Sequence, residues 1–250
     1  MRYFIELSYH GHDFAGFQIQ ENALTVQYEL QRAMETILRI PVLLTGSSRT
    51  DSGVHARQNY FHFDVDKILT EKQIYNLNAV LPASVSVRTI RLMTELAHCR
   101  FDAISRRYQY FLYSKKNPFY ADRGWHYPYP LNINLLQSCA ELLLQYKDFT
   151  SFSKRNTQAK TMICTLSEST WRKESDYLIY AVTGNRFLRG MVRGLVATML
   201  LAGRGKISFN EFEEIIKAKD GSRADFAAPA HGLFLEEVRY PTGYFDNEEL

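Results

Sequence analysis

Residues 46–56 have the sequence GSSRTDSGVHA and form a polar stretch between a helical pattern and a strand pattern. Before this stretch, apolar residues recur at helical spacing from Thr25 to Leu38, and Pro41 follows them. This spacing predicts an amphipathic helix that ends before the proline. After it, alternate residues of 59–65 are apolar, which predicts a strand. Residues 46–56 are therefore expected to form a loop that joins a helix to a strand.

The rest of the first hundred residues continues this alternation of strand and helix. Residues 2–9 alternate in polarity, which predicts a strand. A capping box at Thr70 is expected to begin a second helix, and residues 85–91 have the pattern of another strand. Strand, helix, strand, helix, strand is the order of a ferredoxin-like unit. We assign residues 1–100 to an N-terminal lobe that carries the loop.

The remaining residues, 101–250, follow the same coarse plan without repeating the sequence. Strands are predicted at 106–113, 162–171, 177–184 and 233–240, and helices at about 134–146, up to about residue 201, and 208–219. Gly203 is expected to supply a left-handed cap. The sequence therefore predicts an α+β (mixed α/β) protein of two ferredoxin-like lobes, of which the second is the C-terminal lobe.

Composition limits the classes of protein that fit. The net charge of +3 and pI of about 8.6 are compatible with a nucleic-acid partner without requiring one. Cys99, Cys139 and Cys164 lie far apart, which indicates neither a disulfide framework nor a zinc site and fits the cytoplasm. His10 and His12 have no further ligand-type cluster beside them, so no metal is expected. No apolar run suits a signal peptide or a membrane span.

The loop itself carries groups that are suited to catalysis. Asp51 follows Arg49 by two residues, and a cation within ~4–6 Å favours an ionised carboxylate. Small residues such as Ser52 and Gly53 leave room for a substrate to approach. Alternatively, Asp51 caps a turn, because aspartates in such loops commonly bond to their own backbone. The residues alone leave both interpretations open.

A second cluster of charge lies in residues 185–194, NRFLRGMVRG. On a helix, the spacing of Arg186, Arg189 and Arg193 would place three guanidinium groups on one face. Such a face is commonly only solvated, although the adjacent Gly190 would allow a ligand to come close.

A third cluster begins with two arginines at 106–107 before Tyr108 on a predicted strand. This pattern is typical either of an edge strand with core rings or of a surface that stacks on bases and contacts phosphates. Lys154, Arg155 and Lys160 form a basic loop that would suit phosphate groups.

Specific motifs favour the functional interpretations. RTDSGVHA, residues 49–56, resembles the R-T-D-A-G-V-H-A signature around the nucleophilic aspartate of the tRNA pseudouridine synthase A family. Ser52 replaces the usual alanine, and Ser48 stands where glycine is usual. Residues 9–18 resemble the opening motif Y-x-G-x-x-F-x-G-x-Q. Further segments resemble A-x-R-R-Y-x-Y, N-x-F-x-x-x-M-V-R and the closing G-L-x-L element, so that the resemblance covers residues 9 to about 241.

The resemblance implies a pseudouridine synthase fold, in which the two ferredoxin-like or RRM-like lobes form a continuous, mostly antiparallel sheet with helices on one side and an RNA-binding cleft on the other. It also implies an isomerase that converts uridine to pseudouridine at positions 38–40 in the anticodon stem-loop of tRNA. A homodimer that needs no metal or cofactor and does not bind a membrane is implied as well.

The resemblance also assigns roles to individual residues. Asp51 is the catalytic carboxylate, Arg193 is its partner, and Tyr108 lies against the target base. Whether Asp51 attacks C1′ or removes a sugar proton stays open. The target base must be extruded from its stem, and Arg49 is expected to fill the space that it leaves.

Affinity for RNA is expected to come from phosphate contacts by Arg186 and Arg189. Two other functions stay open. One is a non-catalytic RNA-binding protein with the same fold. The other is a carboxylate-dependent glycosidase, which needs a second acid, for which Asp102 or Asp225 would have to approach Asp51.

Overall fold

A computed structural model describes residues 1–154 and 159–246. In chain order its strands and α-helices are β1 (Arg2–Tyr9), α1 (Val26–Leu38), β2 (Thr45–Gly46), β3 (His55–Asp64), α2 (Glu71–Val80), β4 (Val85–Met93), β5 (Ser105–Tyr113), β6 (Trp125–His126), α3 (Ile133–Leu143), β7 (Leu166–Glu174), β8 (Tyr177–Gly184), α4 (Met191–Gly203), α5 (Phe209–Ala218) and β9 (Leu233–Arg239). The strands are mostly antiparallel, and the predicted mixed α/β class is confirmed.

The chain divides into two compact units. The first contains residues 1–104 and the described residues from 235 onward, and the second contains residues 105–234. The sequence-based division into lobes of residues 1–100 and 101–250 stays a prediction. Most of β9 belongs to the first unit, in which its neighbour is β3.

In the first unit, the strand order is β4-β1-β3-β9, and the short β2 pairs with β3. The predicted alternation of strands with α1 and α2 is present. The strand β3 begins at His55, four residues before its predicted start, and its Ala56 pairs with Tyr9 of β1. The sequence pattern did not reveal this earlier start of β3, because the polar residues from Arg57 to Asn59 interrupt the alternation of apolar residues.

The two faces of this sheet are buried by different partners. Ile5 pairs with Phe61, and both side chains are fully buried. The preceding residue Phe4 pairs with His62, so this pair lies on the opposite face. Aromatic residues that follow β9 cover that face, as shown by the ring of Tyr240, which lies 6.0 Å from the ring of Phe4.

In the second unit, β8 pairs antiparallel with both β5 and β7, and β6 runs parallel to β5. The helix α4 is buried along most of its length, as expected for a helix that is apolar all round. The predicted cap at Gly203 is wrong because this residue lies inside α4, with Leu136 packed where a side chain would be. Gly205, with φ +68°, adopts the left-handed conformation instead.

None of the helices in the described ranges has the length and apolar character needed to cross a membrane.

Candidate active site

The loop that carries Asp51 joins β2 to β3 and is held by the segment that follows β1. The main-chain N–H of Phe17 donates to the carbonyl oxygen of Thr50 at 3.1 Å. The N–H of Gly53 donates to the carbonyl oxygen of Phe14 at 3.2 Å. The opening motif at residues 9–18 therefore packs along the Asp51 loop, and backbone hydrogen bonds hold this loop on both sides of Asp51.

A buried network of polar side chains lies under the same loop. The hydroxyl groups of Tyr9 and Thr50 are 2.8 Å apart. The side-chain amide of Asn59 donates to the Tyr9 hydroxyl at 3.2 Å and to the carbonyl oxygen of Ser48 at 2.8 Å. Asn59 is fully buried and also accepts the N–H of Tyr60 at 2.9 Å. A buried amide with several partners is a strong positional restraint.

The closest backbone approach in this region involves Gly11. A Cβ atom on Gly11 would lie 2.0 Å from the carbonyl oxygen of Val54, so that no side chain fits. Its N–H donates to Nδ1 of the buried His55 at 3.0 Å. Gly53 adopts a left-handed φ of +77°, which favours glycine. The glycines of both motifs are therefore required by the way the two segments pack.

These restraints leave the chemical groups of the loop accessible. Asp51 is half-buried and Arg49 is exposed, whereas Thr50 between them is buried. The turn is closed by the main-chain carbonyl of Asp51, which accepts the N–H of Val54 at 3.1 Å. Backbone hydrogen bonds therefore hold the main chain around Asp51, and the residue itself is partly exposed.

Tyr108 lies on β5 in the second unit, opposite Val182 of β8. Its side chain is 8% exposed and packs edge-to-face with Phe187, with ring centroids 5.0 Å apart. The strand predicted at residues 106–113 is confirmed as β5. Phe187 belongs to the segment that resembles N-x-F-x-x-x-M-V-R, so the structure brings this segment and the A-x-R-R-Y-x-Y segment together within the second unit.

The predicted helix face of three arginines is wrong. The helix α4 begins at Met191, and Gly190 before it has a left-handed φ of +73°, which interrupts the helical path. Arg186 and Arg189 therefore lie in the loop between β8 and α4, and only Arg193 is helical.

The loop before α4 still collects basic residues from other segments. The N–H of Lys154 donates to the carbonyl oxygen of Arg189 at 3.0 Å, and Nη1 of Arg106 donates to the carbonyl oxygen of Asn185 at 3.1 Å. The exposed Lys160 lies in the same basic segment of the sequence as Lys154. Arg155, which was predicted to bind phosphate, lies outside the described residues.

Arg193 is oriented by the segment that precedes β9. Its Nε donates to the carbonyl oxygen of Ala228 at 2.6 Å, and Tyr110 donates to the next carbonyl oxygen, that of Pro229, at 2.7 Å. Burial raises the pKa of Tyr110, although Arg193 opposes this shift. The tyrosine consequently stays neutral and able to donate. One guanidinium nitrogen of Arg193 is thereby fixed, which sets the plane of the group.

The two aspartates considered as a second acid have structural partners. Asp102 accepts the N–H of His98 at 2.8 Å and the hydroxyl of Tyr244 at 2.5 Å. Asp225 accepts the N–H of Ala227 at 2.8 Å. Each carboxylate closes a local turn, a role that does not favour the glycosidase alternative.

Comparison with known proteins decides the family. Residues 140–241 match the family model described as tRNA pseudouridine synthase. The chain is 39% identical over 247 residues to tRNA pseudouridine synthase A of Azobacteroides pseudotrichonymphae, covering 98% of this chain and 99% of the relative. The chain belongs to the tRNA pseudouridine synthase A family. Proteins of the same name from Parabacteroides distasonis (40% identity, 99% of each chain) and Bacillus subtilis (39% identity, 99% of this chain and 100% of the relative) are similar over equally long alignments.

Two of the segments that resemble motifs of the tRNA pseudouridine synthase A family have structural roles in this protein. The opening motif supports the Asp51 loop, and the N-x-F-x-x-x-M-V-R segment packs against Tyr108 through Phe187. The sequence analysis included Tyr9 only as part of the opening motif and missed Asn59, and it assigned neither residue a role in supporting the loop. The assignment of Arg193 as partner of Asp51 stays a prediction from the motif match.

Proposed function

We propose that this protein isomerises uridine to pseudouridine within tRNA. The observation that carries the proposal is the RTDSGVHA loop, held rigidly with Asp51 accessible, in a chain that matches tRNA pseudouridine synthases A over its full length. The reaction breaks the bond between N1 of uracil and C1′ of ribose. The base then turns, a bond forms between C5 and C1′, the C5 proton is released to water, and the freed N1 takes up a proton from water. Atoms and electrons balance without an oxidant or reductant.

Each chemical requirement of this reaction has a candidate residue. Cleavage needs an ionised carboxylate near C1′, and Asp51 supplies it as nucleophile or base. Arg193, with its guanidinium plane set by Ala228, is proposed to hold that carboxylate ionised. The detached base must be retained, and Tyr108 is proposed to lie against it, supported by its edge-to-face contact with Phe187.

Binding of the tRNA is proposed to use basic groups of both units. The target base must leave its stack at a cost of a few kcal/mol, and the exposed Arg49 is proposed to fill the gap. Arg186 and Arg189, together with Lys154, form a basic loop at the start of α4 that suits phosphate contacts. Affinity should therefore fall as salt rises.

The finer features rest on the family motifs. We propose that the modified uridines are at positions 38–40 of the anticodon stem-loop and that the active form is a homodimer. A tRNA substrate places the proposed activity in the cytoplasm. These assignments are supported by the same motifs that assign Asp51 and Tyr108.

Tritium release provides the direct test. Unmodified tRNA transcripts labelled with tritium at C5 of uridine release label only when C5 forms the new bond. The wild-type protein and Asp13→Asn, a control at an exposed carboxylate of the opening motif, should release tritium. Asp51→Asn should release none while still binding tRNA. Transcripts with cytidine at positions 38–40 should release none with any variant.

Two results would count against the proposal. If the wild-type protein binds tRNA but releases no tritium, the protein is an RNA-binding protein of the same fold. If Asp51→Asn releases tritium at the wild-type rate, another residue begins the reaction.

A further inference from the structure

A second group of reactive side chains lies in the first unit, apart from the Asp51 loop. It consists of His62 on β3 with His98 and Cys99, which follow β4. Nδ1 of His62 lies 3.2 Å from Sγ of Cys99, and the rings of His62 and His98 are 4.6 Å apart. One ligand atom from each of the three residues lies within 4.8 Å of the others. His62 and Cys99 are buried, and His98 is half-buried.

Main-chain contacts orient these groups toward one another. Nδ1 of His62 accepts the N–H of Cys99 at 3.3 Å, and Nδ1 of His98 accepts the N–H of Arg100 at 3.2 Å. Both rings therefore carry an unprotonated nitrogen, the form in which imidazole binds a metal. Metal binding would replace these contacts, and the metal–ligand bonds would have to outweigh the loss of the acceptor for the buried Cys99 N–H. The thiol of Cys99 contacts the carbonyl oxygen of Thr45 at 3.1 Å.

We infer that His62, His98 and Cys99 form a binding site for one zinc-class divalent ion. Two imidazole nitrogens and one thiolate are ligands that zinc prefers, and the fourth position is left for water. Zinc bonds of about 2.0–2.3 Å at tetrahedral angles place nitrogen and sulfur ligands roughly 3.5 Å apart. The observed separation of 3.2 Å between His62 and Cys99 has to open by only a few tenths of an ångström.

The surroundings of the His62, His98 and Cys99 cluster provide a negative charge and a path to solvent. Asp102 accepts the N–H of His98 at 2.8 Å, which places a carboxylate beside the cluster. A cleft of about 530 Å³ is lined by Ala97, Asp102 and Tyr244 among others, so residues next to His98 open toward solvent. Binding displaces the thiol proton of Cys99 to water and leaves a thiolate on the metal.

The metal site would stabilise the fold and would take no part in the proposed isomerisation of uridine. It joins β3 to the segment after β4, two parts of the first unit that are distant in sequence. Because no preformed site exists in the unfolded chain, the free energy of metal binding adds to the free energy of folding. The inference is independent of the proposed function, and its tests need no tRNA.

Cobalt titration tests the site on the full chain, purified under reducing conditions and treated with a chelator. The wild-type protein should bind one Co²⁺ with a thiolate-to-cobalt charge-transfer band, and Zn²⁺ should remove the band. Cys164→Ser is the matched control, because this thiol is also buried but lies outside the cluster; it should behave as wild type. Cys99→Ser should lose the band. His98→Asn should bind Co²⁺ at least about tenfold more weakly.

Thermal unfolding gives a second readout. Zn²⁺ should raise the Tm of the wild-type protein and of Cys164→Ser, and should not raise that of His98→Asn, whose half-buried position allows the fold to persist. The inference is overturned if the wild-type protein shows no charge-transfer band, if Cys99→Ser keeps it, or if His98→Asn binds with unchanged affinity. Any of these outcomes would leave the three residues as a packed, hydrogen-bonded cluster.

Discussion

The variant Tyr9→Phe tests whether the buried network of polar side chains under the Asp51 loop holds Asp51 in place. The Tyr9 hydroxyl contacts the hydroxyl of Thr50 at 2.8 Å and accepts a hydrogen bond from Asn59 at 3.2 Å. The ring is retained in the variant, so that its contact with Phe17 is preserved. The substitution therefore removes hydrogen bonds beneath the loop without creating a large cavity.

The size of the effect follows from these contacts. A typical buried hydrogen bond contributes about 1 kcal/mol net, and a polar group left without its partner costs a further 1–3 kcal/mol, roughly. Asn59 keeps its second bond to the carbonyl oxygen of Ser48, which limits the loss. We expect the free energy of unfolding of Tyr9→Phe to fall by about 2 kcal/mol. A domain of ordinary stability remains folded after such a loss.

The effect on rate should exceed the effect on binding. A displacement of about 1 Å in a reacting group can cost roughly 100-fold in rate. The Asp51 loop keeps its backbone bonds to Phe14 and Phe17, so a smaller displacement and a loss of about tenfold are expected. Single-turnover tritium release with enzyme in excess measures the rate, urea unfolding measures stability, and filter binding measures affinity for tRNA, which should stay within about twofold.

Tyr3→Phe is the matched control for this experiment. The Tyr3 hydroxyl donates to the carbonyl oxygen of Lys67 at 3.2 Å and accepts the N–H of Leu69 at 3.3 Å, on the same strand but away from the loop. It should lose similar stability with an unchanged rate. Equal rate losses in the two variants would refute the proposed tethering, and so would a Tyr9→Phe variant with wild-type stability and rate.

Three further predictions test other parts of the structure. Gly11→Ala should lose about 3 kcal/mol of unfolding free energy and most of the activity, because its Cβ would lie 2.0 Å from a carbonyl oxygen of the catalytic loop; a wild-type urea midpoint would contradict this. Burial alone would raise the pKa of Glu168, but hydrogen bonds from Arg107 and Thr183 hold that pKa below its ordinary value of 4.5. The resulting stabilisation is present above 4.5 and is lost as pH falls through the folded pKa. Urea unfolding at neutral and at acid pH measures this effect. Between the two pH values, the free energy of unfolding should fall by about 1 kcal/mol more for the wild-type protein than for Glu168→Gln. For Arg189→Ala, the slope of log affinity for tRNA against log salt should fall by about one; an unchanged slope would exclude a phosphate contact there.

Helix starts could be predicted from the sequence because their signals are local. Ser208 and Glu211 form the expected capping box, and α5 begins at Phe209. Thr25 caps α1 by accepting the N–H of Tyr28 at 3.3 Å. Such contacts join residues that are three positions apart, so both partners can be recognised within one short stretch of sequence.

Features that depend on distant partners could not be predicted in this way. Most of β9 belongs to the first unit, in which its neighbour is β3, and no local pattern in residues 233–239 specifies that neighbour. Arg186, Arg189 and Arg193 have helical spacing, but the same spacing occurs in a chain whose helix begins only at Met191, after two of the three arginines. The left-handed Gly190 decides the outcome, and glycine in a sequence does not reveal its φ.

The candidate site shows where a signal was available and overlooked. The motif identified Asp51 but said nothing about what holds its loop. Asn59 falls in phase with Phe61 and Phe63 on β3, so that the alternation places an amide on the apolar face of the strand. A buried amide is costly unless its hydrogen bonds are satisfied, which implies a partner of specific geometry. Asn59 meets that requirement through Tyr9 and the backbone of the catalytic loop. A polar residue in register with an apolar stripe, close in sequence to a reactive loop, is therefore evidence that the loop is tethered to the core.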